Sequence, residues 1–152
     1  MSHFTGSLII QEVEPGRRWR LVQPVRFEAD FEGSDRWIEV PVGFETDGAS
    51  LPEFMRLFLA VWGTYGRAAV VHDYLYRLIG DLGKGILHPE VAWSGYGDPS
   101  IFQPGMDEIV RKWADDQFYL AMRACGTSGW LASAMFVAVR WFGGRAIGKG
   151  GM

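Results

Sequence analysis

The feature that most limits what this chain can fold into is a change of hydrophobic period at Ser50. Before it, Ser7 to Val13, Trp19 to Phe31 and Arg36 to Phe44 are runs rich in β-branched and aromatic residues, divided by turn signals at Pro15-Gly16 and Gly33-Ser34-Asp35. Such runs form short strands joined by tight turns. After Ser50-Leu51-Pro52 the pattern turns helical. Ser50 suits a helix N-cap, Pro52 an early helical position where a missing N–H is harmless, and Glu53 the positive end of the helix dipole. The spacing predicts helices over about Pro52 to Val61, Arg67 to Ile79 (ending near Gly80), Met106 to Ala124 (stopped by Gly126) and Ser128 to Phe142 (stopped by Gly143-Gly144). The expected fold is α+β, a small N-terminal antiparallel sheet packed against about four helices.

Length and composition set the outer limits. At 152 residues, with 48% hydrophobic side chains and seven Trp, the chain suits a single domain over 1–152. Roughly 68–70% of its unfolded surface can be buried at this size. Residues 81–104 are rich in Gly and Pro without a period and read as a long loop or insertion, whose Trp93, Tyr96 and Phe102 could form a ligand lid or a partner patch. The Gly-rich stretch 144–152 reads as a flexible tail. A formal net charge of −3 indicates no global attraction to nucleic acid, although local basic patches are compatible with it. The single Cys125 rules out an internal disulfide and a thiolate metal site. The N-terminus lacks the basic start and apolar run of a signal peptide. Trp130 to Val139, the most hydrophobic stretch, is interrupted by Arg140 and falls short of the ~20 apolar residues of a membrane span, so it reads as a core or interfacial helix and no transmembrane segment is expected.

Candidate chemistry centres on Ala68-Ala69-Val70-Val71-His72-Asp73-Tyr74-Leu75-Tyr76, an imidazole and a carboxylate inside an apolar helical run. At about 100° per residue His72 shares a face with Ala68, Leu75, Tyr76 and Ile79 and should point inward, where a polar group needs partners. Two other segments offer them: Thr46-Asp47-Gly48-Ala49-Ser50 upstream and Ala114-Asp115-Asp116-Gln117-Phe118 downstream. Each carboxylate also has a bland role open to it. Asp73 can pair with Arg77, Asp115 with Arg111, Asp116 with Lys112, and Asp47 can close an Asx-turn. The expected site is Asp47, His72, Asp73 and Asp115, acting as catalytic groups, as ligands of a divalent metal (Zn, Mn, Fe or Mg), or as both. A metal could generate hydroxide near neutral pH, and without one an oriented His72 could act as general base.

His-Asp after an Ala/Val run partly resembles the HD metal-dependent phosphohydrolases, with His72, Asp73 and Asp115 in three of the four roles. No upstream helical His fills the remaining one. A fuller resemblance rests on the order Val40-Pro-Val-Gly-Phe-Glu-Thr46-Asp47-Gly-Ala-Ser50-Leu-Pro52, then Tyr65-Gly-Arg67-Ala-Ala-Val-Val-His72-Asp73-Tyr-Leu-Tyr76, then Ala114-Asp115-Asp-Gln-Phe118 and Gly126. Over roughly residues 5 to 145 the chain resembles domain of unknown function 1353. That resemblance places the Ala-Asp-x-x-Phe pattern on Asp115 and implies origin in a tailed bacteriophage or prophage, but brings no activity with it. Two functions follow as expectations. One is a small, metal-dependent hydrolase built on the His/Asp cluster. The other is a non-enzymatic phage tail, virion, assembly or host-interaction protein in which the same cluster is structural and the partner is a phage or host protein. Either would be made in the bacterial host cytoplasm, the second ending in the virion.

Overall fold

Two three-stranded antiparallel sheets and three helices make up the described part of the structure, a computed structural model that describes residues 4–15, 18–46, 66–86 and 107–143. The strands are β1 (Phe4–Thr5), β2 (Ile10–Glu14), β3 (Arg18–Leu21), β4 (Val25–Glu28), β5 (Trp37–Val40) and β6 (Glu45–Thr46). The helices are α1 (Gly66–Gly83), α2 (Asp107–Ala124) and α3 (Gly129–Phe142). The α+β class therefore stands, with two sheets in place of the one expected. Their orders are β1-β4-β5 and β2-β3-β6. The helix expected over 52–61, the Ser50 cap and residues 87–104 of the expected loop lie outside the described residues.

Each long strand-like run divides where its backbone cannot continue a ladder. Pro24 has no N–H to donate and separates β3 from β4, while Pro41 and Gly43, at φ +85°, separate β5 from β6. The pieces then pair with different partners. In the first sheet Val25 faces Val40 and Phe27 faces both Phe4 and Ile38. Val25, Phe27, Ile38 and Val40 are buried, whereas Arg26 and Glu39 between them face outward and approach to 4.0 Å. This is the period-two alternation of a sheet with one face on the core. In the second sheet Trp19 lies between Glu12 and Thr46, and the exposed Arg20 guanidinium contacts Glu45 at 2.6 Å.

The three helices end for identifiable reasons. α1 runs through Gly80, where the sequence suggested a stop, and takes in residues 81–83 of the expected loop. It closes only at Gly85, whose φ of +78° lets its N–H reach the Leu82 carbonyl and that of Ile86 reach the Asp81 carbonyl. One mid-helix glycine costs about 1 kcal/mol, and burying Leu78, Ile79 and Leu82 on the same helix outweighs that. α2 closes in the same way at Gly126, φ +88°, with Thr127 bonded back to Met122. α3 differs, because Gly143 keeps an ordinary helical φ of −64°. A side chain there would collide with the Val139 carbonyl and the Tyr76 hydroxyl. Glycine is required at 143 for space.

α1 is the central element, packed on α2 and against β4, β5 and β6, while α3 packs on α2. A polar clip joins the first sheet to α2. Beyond β4 the chain turns through Asp30, at φ +65°, whose backbone N–H donates to Gln117 Oε1 at 2.8 Å while Gln117 Nε2 donates back to Asp30 Oδ1 at 2.8 Å. Trp113 Nε1 adds a bond to the same oxygen at 3.3 Å and Arg36 an ion pair to Oδ2 at 3.2 Å. Glu28 steadies the turn by accepting from the Gly33 and Asp35 amides. Because Gln117 is buried, Gln117→Leu leaves the Asp30 amide and one carboxylate oxygen short of partners. The expected cost is about 1–3 kcal/mol, read as a lower urea midpoint with an unchanged m-value.

Candidate functional site

The motif Ala114 to Phe118 shows how one helical turn distributes its roles. Asp116 faces solvent and pairs with Lys112 at 3.0 Å, the bland partner that i,i+4 spacing offers. Gln117 clips Asp30 as described, and Asp115 and Phe118 are buried toward α1. Asp115 is 0% exposed and settles which of the adjacent aspartates belongs to the core.

Its carboxylate gathers donors from the two neighbouring helices. His72 Nε2 of α1 lies 2.9 Å from Oδ1, and the Tyr76 hydroxyl, one turn further along α1, donates to the same oxygen at 2.6 Å. From α3, Arg140 Nη1 donates to Oδ2 at 2.9 Å, and Arg111 of α2 adds its charge at 3.9 Å. Arg140 also holds Glu108 at 2.6 Å, and Glu108 binds Arg111 at 2.9 Å. Two guanidinium and two carboxylate charges thus balance locally. Arg111 further reaches the Val139 and Arg140 carbonyls at the end of α3, where a cation suits the helix dipole. The imidazole is enclosed between aromatic rings, with centroids 4.1 Å from Tyr76 and 4.5 Å from Phe118.

Burial pushes the Asp115 carboxyl up, but the bonds from His72, Tyr76 and Arg140 outweigh it and hold the carboxyl below the usual carboxylate range. The opposite holds for Tyr76: burial first, then the adjacent Asp115 charge, push its phenol well above the ordinary tyrosine value. An ionised Asp115 can only accept, so Nε2 of His72 carries the proton of that hydrogen bond. The other ring nitrogen, Nδ1, is buried and has no hydrogen-bond partner among the described residues.

Of the four residues expected from the sequence, the structure brings His72 and Asp115 into direct contact. Asp73 is buried beside them in the chain and has a polar interaction of its own. Arg77, its i,i+4 neighbour, places its guanidinium 4.8 Å over the Phe44 ring. Asp47 lies outside the described residues, next to the buried Thr46 that ends β6, a strand packed against α1. Among the described residues no three His, Cys, Asp or Glu side chains are grouped so as to hold a metal ion. Sequence reasoning offered Arg111 to Asp115, which the structure places at 3.9 Å, but missed Arg140 and Glu108 as members of the network. A signal existed for the first, since Arg140 is the only charged residue in an otherwise apolar helix and an inward-facing charge needs a counter-charge.

The fold and this site define a small α+β protein with a buried His–carboxylate pair braced by arginine and tyrosine. Residues 19–139 match a family described as Protein of unknown function (DUF1353). The chain belongs to that family, and the match spans all three motifs quoted above. No curated protein and no solved structure matches the chain.

The lowered ionisation of Asp115 fixes a sign for the effect of acid. A carboxyl whose folded value lies below its unfolded value, 3.8, contributes stability that is present above about pH 4 and is lost as pH falls through the folded value. Urea melts should show the wild type losing stability steeply below pH 4. Asp115→Asn should be less stable at pH 7 by about 3–5 kcal/mol, because Arg140 and Arg111 are left to share the single carboxylate of Glu108 while His72 and Tyr76 lose their charged acceptor, and its acid dependence should be shallower.

Proposed function

We propose that the chain is a small hydrolase of phage or prophage origin in which Nδ1 of His72 is the working atom. The observation that carries this reading is the buried Nδ1 with no partner among the described residues, on a ring whose other nitrogen is fixed to Asp115 at 2.9 Å. Buried polar atoms of a native protein are nearly always bonded. An imidazole anchored at one nitrogen and open at the other is the arrangement of a general base or of a metal-bound histidine with a carboxylate behind it.

As a base, Nδ1 would take a proton from a water while the resulting hydroxide attacks a carbonyl or phosphoryl centre. The same proton would then pass to the leaving group. Asp115 would stabilise the transient imidazolium through Nε2–H, and Arg140 would balance Asp115 once the ring returns to neutral. As a ligand, Nδ1 would supply one position on a divalent ion, Zn, Mn, Fe or Mg, with Asp47 and Asp73 completing the set. Asp115 then serves behind the imidazole, because both of its oxygens are already bonded.

A second reading has its own supporting observation: His72 and Asp115 are both 0% exposed and packed among apolar and aromatic side chains. In that reading the network is a structural tie between helices, and the protein is a non-enzymatic tail, virion, assembly or host-interaction component. His72→Gln separates the two, because the glutamine amide can still donate to Asp115 but offers no basic lone pair. The hydrolase reading expects turnover on a panel of phosphoesters, nucleotides and cell-wall polymers, or a melting point raised by Zn²⁺ or Mn²⁺ and lowered by chelator. Either response should vanish in His72→Gln while its melting point stays within a few degrees of wild type. A wild type inert to every substrate and indifferent to metal and chelator, together with His72→Ala destabilised by about 2–5 kcal/mol, would transfer the assignment to the structural reading.

A further inference from the structure

Helix α3 is apolar on both sides, and only one side is covered. Ala132, Met135, Ala138 and Val139 are buried. On the opposite side Trp130 is 75% exposed, Val137 50% and Trp141 79%, and Ser133 and Ala134 between them are exposed as well. At about 100° per residue Trp130, Ala134, Val137 and Trp141 fall within roughly a 60° arc, so they form one continuous stripe along the helix. No charge interrupts it. Arg140 is the only Asp, Glu, Lys or Arg between Gly129 and Phe142, and it is committed to Asp115 and Glu108. Aromatic side chains at the ends and no ion anywhere along the stripe are the composition of the core of a protein interface.

The order of the stripe indicates what it meets. Its members follow at spacings of four, three and four residues, with a tryptophan at each end and the smaller Ala134 and Val137 inside. Turned end for end, the stripe presents the same steps. When two copies of α3 cross antiparallel about a twofold axis at the midpoint, Trp130 of each copy comes level with Trp141 of the other, and Ala134 comes level with Val137. The small centre lets the helix axes approach while the tryptophans close over both ends, which is the self-complementarity that an isologous contact requires. We propose that this face of α3 joins two copies of the chain in an antiparallel dimer, anchored by its two Trp130–Trp141 pairs.

The available area agrees with a dimer at the weaker end of the stable range. Two tryptophans at this exposure contribute roughly 300–400 Å². With Ser133, Ala134, Val137 and Phe142 at the end of the helix, the face offers about 600 Å² per copy, or the ~1,200 Å² in all at which specific interfaces begin. Because the stripe carries no charge, pairing it with itself brings no repulsion and strands no ion. None of the described helices is long and apolar enough to cross a membrane, so a spanning role does not account for the stripe. The inference does not depend on the hydrolase reading, since no residue of the stripe belongs to the His72–Asp115 network.

The test uses the full chain in sedimentation equilibrium and thermal melts over a roughly hundredfold range of protein concentration. The expected result is a monomer–dimer equilibrium with a melting point that rises with concentration. Trp130→Ser/Trp141→Ser should weaken dimerisation at least tenfold with an unchanged circular-dichroism spectrum. Ala134→Glu and Val137→Lys, each a good helix former at an exposed position, should do the same singly, because either homodimer then holds two like charges beside the axis. Mixing these two variants should recover at least tenfold of the lost association, since the antiparallel register sets the new carboxylate at 134 against the new ammonium at 137. That recovery decides the matter even if the tryptophan variant fails to fold. A wild type that is monomeric at every concentration overturns the proposal. So does a dimer that survives the charge substitutions or a folded tryptophan variant that dimerises as wild type, and so does a pair of charge variants that gain nothing on mixing. Binding to phosphatidylcholine vesicles without self-association overturns it in favour of a lipid surface.

Discussion

The register of α1 and α3 on α2 is tied to one buried carboxylate, Asp115, which the groups around it hold ionised. An unpaired charge in an apolar interior would be neutralised or expelled, and the effective penalty remains several kcal/mol after relaxation. Asp115 avoids both outcomes because α1 sends it His72 and Tyr76 and α3 sends it Arg140. The three donors come from two helices that flank α2, so the carboxylate can be satisfied only when both are docked in one register. Dispersion packing alone would tolerate small slides of one apolar helix over another, whereas a bonded charge does not. The network therefore fixes the arrangement of the helices more than it adds to net stability, in keeping with the usual balance of buried ion pairs.

The same constraint explains Gly143 and the continuation of α1. Tyr76 reaches Asp115 only if its hydroxyl passes the end of α3, and the absence of a side chain at 143 leaves room for it. Arg111 then bonds the last carbonyls of α3 beside that passage. A backbone position and two side chains distant in sequence thus serve a single hydrogen bond. Coupling of this kind makes mutational effects around Asp115 non-additive, and double-mutant cycles between Tyr76 and Arg140 are where that should be greatest.

The sequence made legible whatever depends on local periodicity. Alternation in Val25 to Glu28 and Trp37 to Val40 marked strands with one buried face, and the helix end at Ala124 followed from Gly126, whose left-handed φ closes it. The inward direction of His72 followed from its neighbours at three- and four-residue spacing. Partners separated by dozens of residues were less accessible. In the hydrophobic pattern the runs Trp19 to Phe31 and Arg36 to Phe44 pass straight through Pro24 and Pro41, and nothing local says that the pieces on either side of Pro24 join different sheets. Asp115 and Asp116 each had a cation four residues earlier, and only the orientation of α2 separates the ion pair at the surface from the carboxylate in the core. Arg140 stood out as a lone charge without revealing which of the chain's acids it meets.

What remains asymmetric in this architecture is the distribution of satisfaction around His72. The ring is held on one side by a charge-assisted bond and on its faces by Tyr76 and Phe118, an enclosure that fixes its orientation. Its second nitrogen has been given no such partner by the described residues. If the ring served only to bridge α1 and α2, a glutamine or a second tyrosine could donate to Asp115 without carrying an extra buried lone pair, which costs about 1–3 kcal/mol when left unbonded. Retaining imidazole at this point makes physical sense when Nδ1 has something to bind, and β6 delivers the chain to that helix immediately before Asp47.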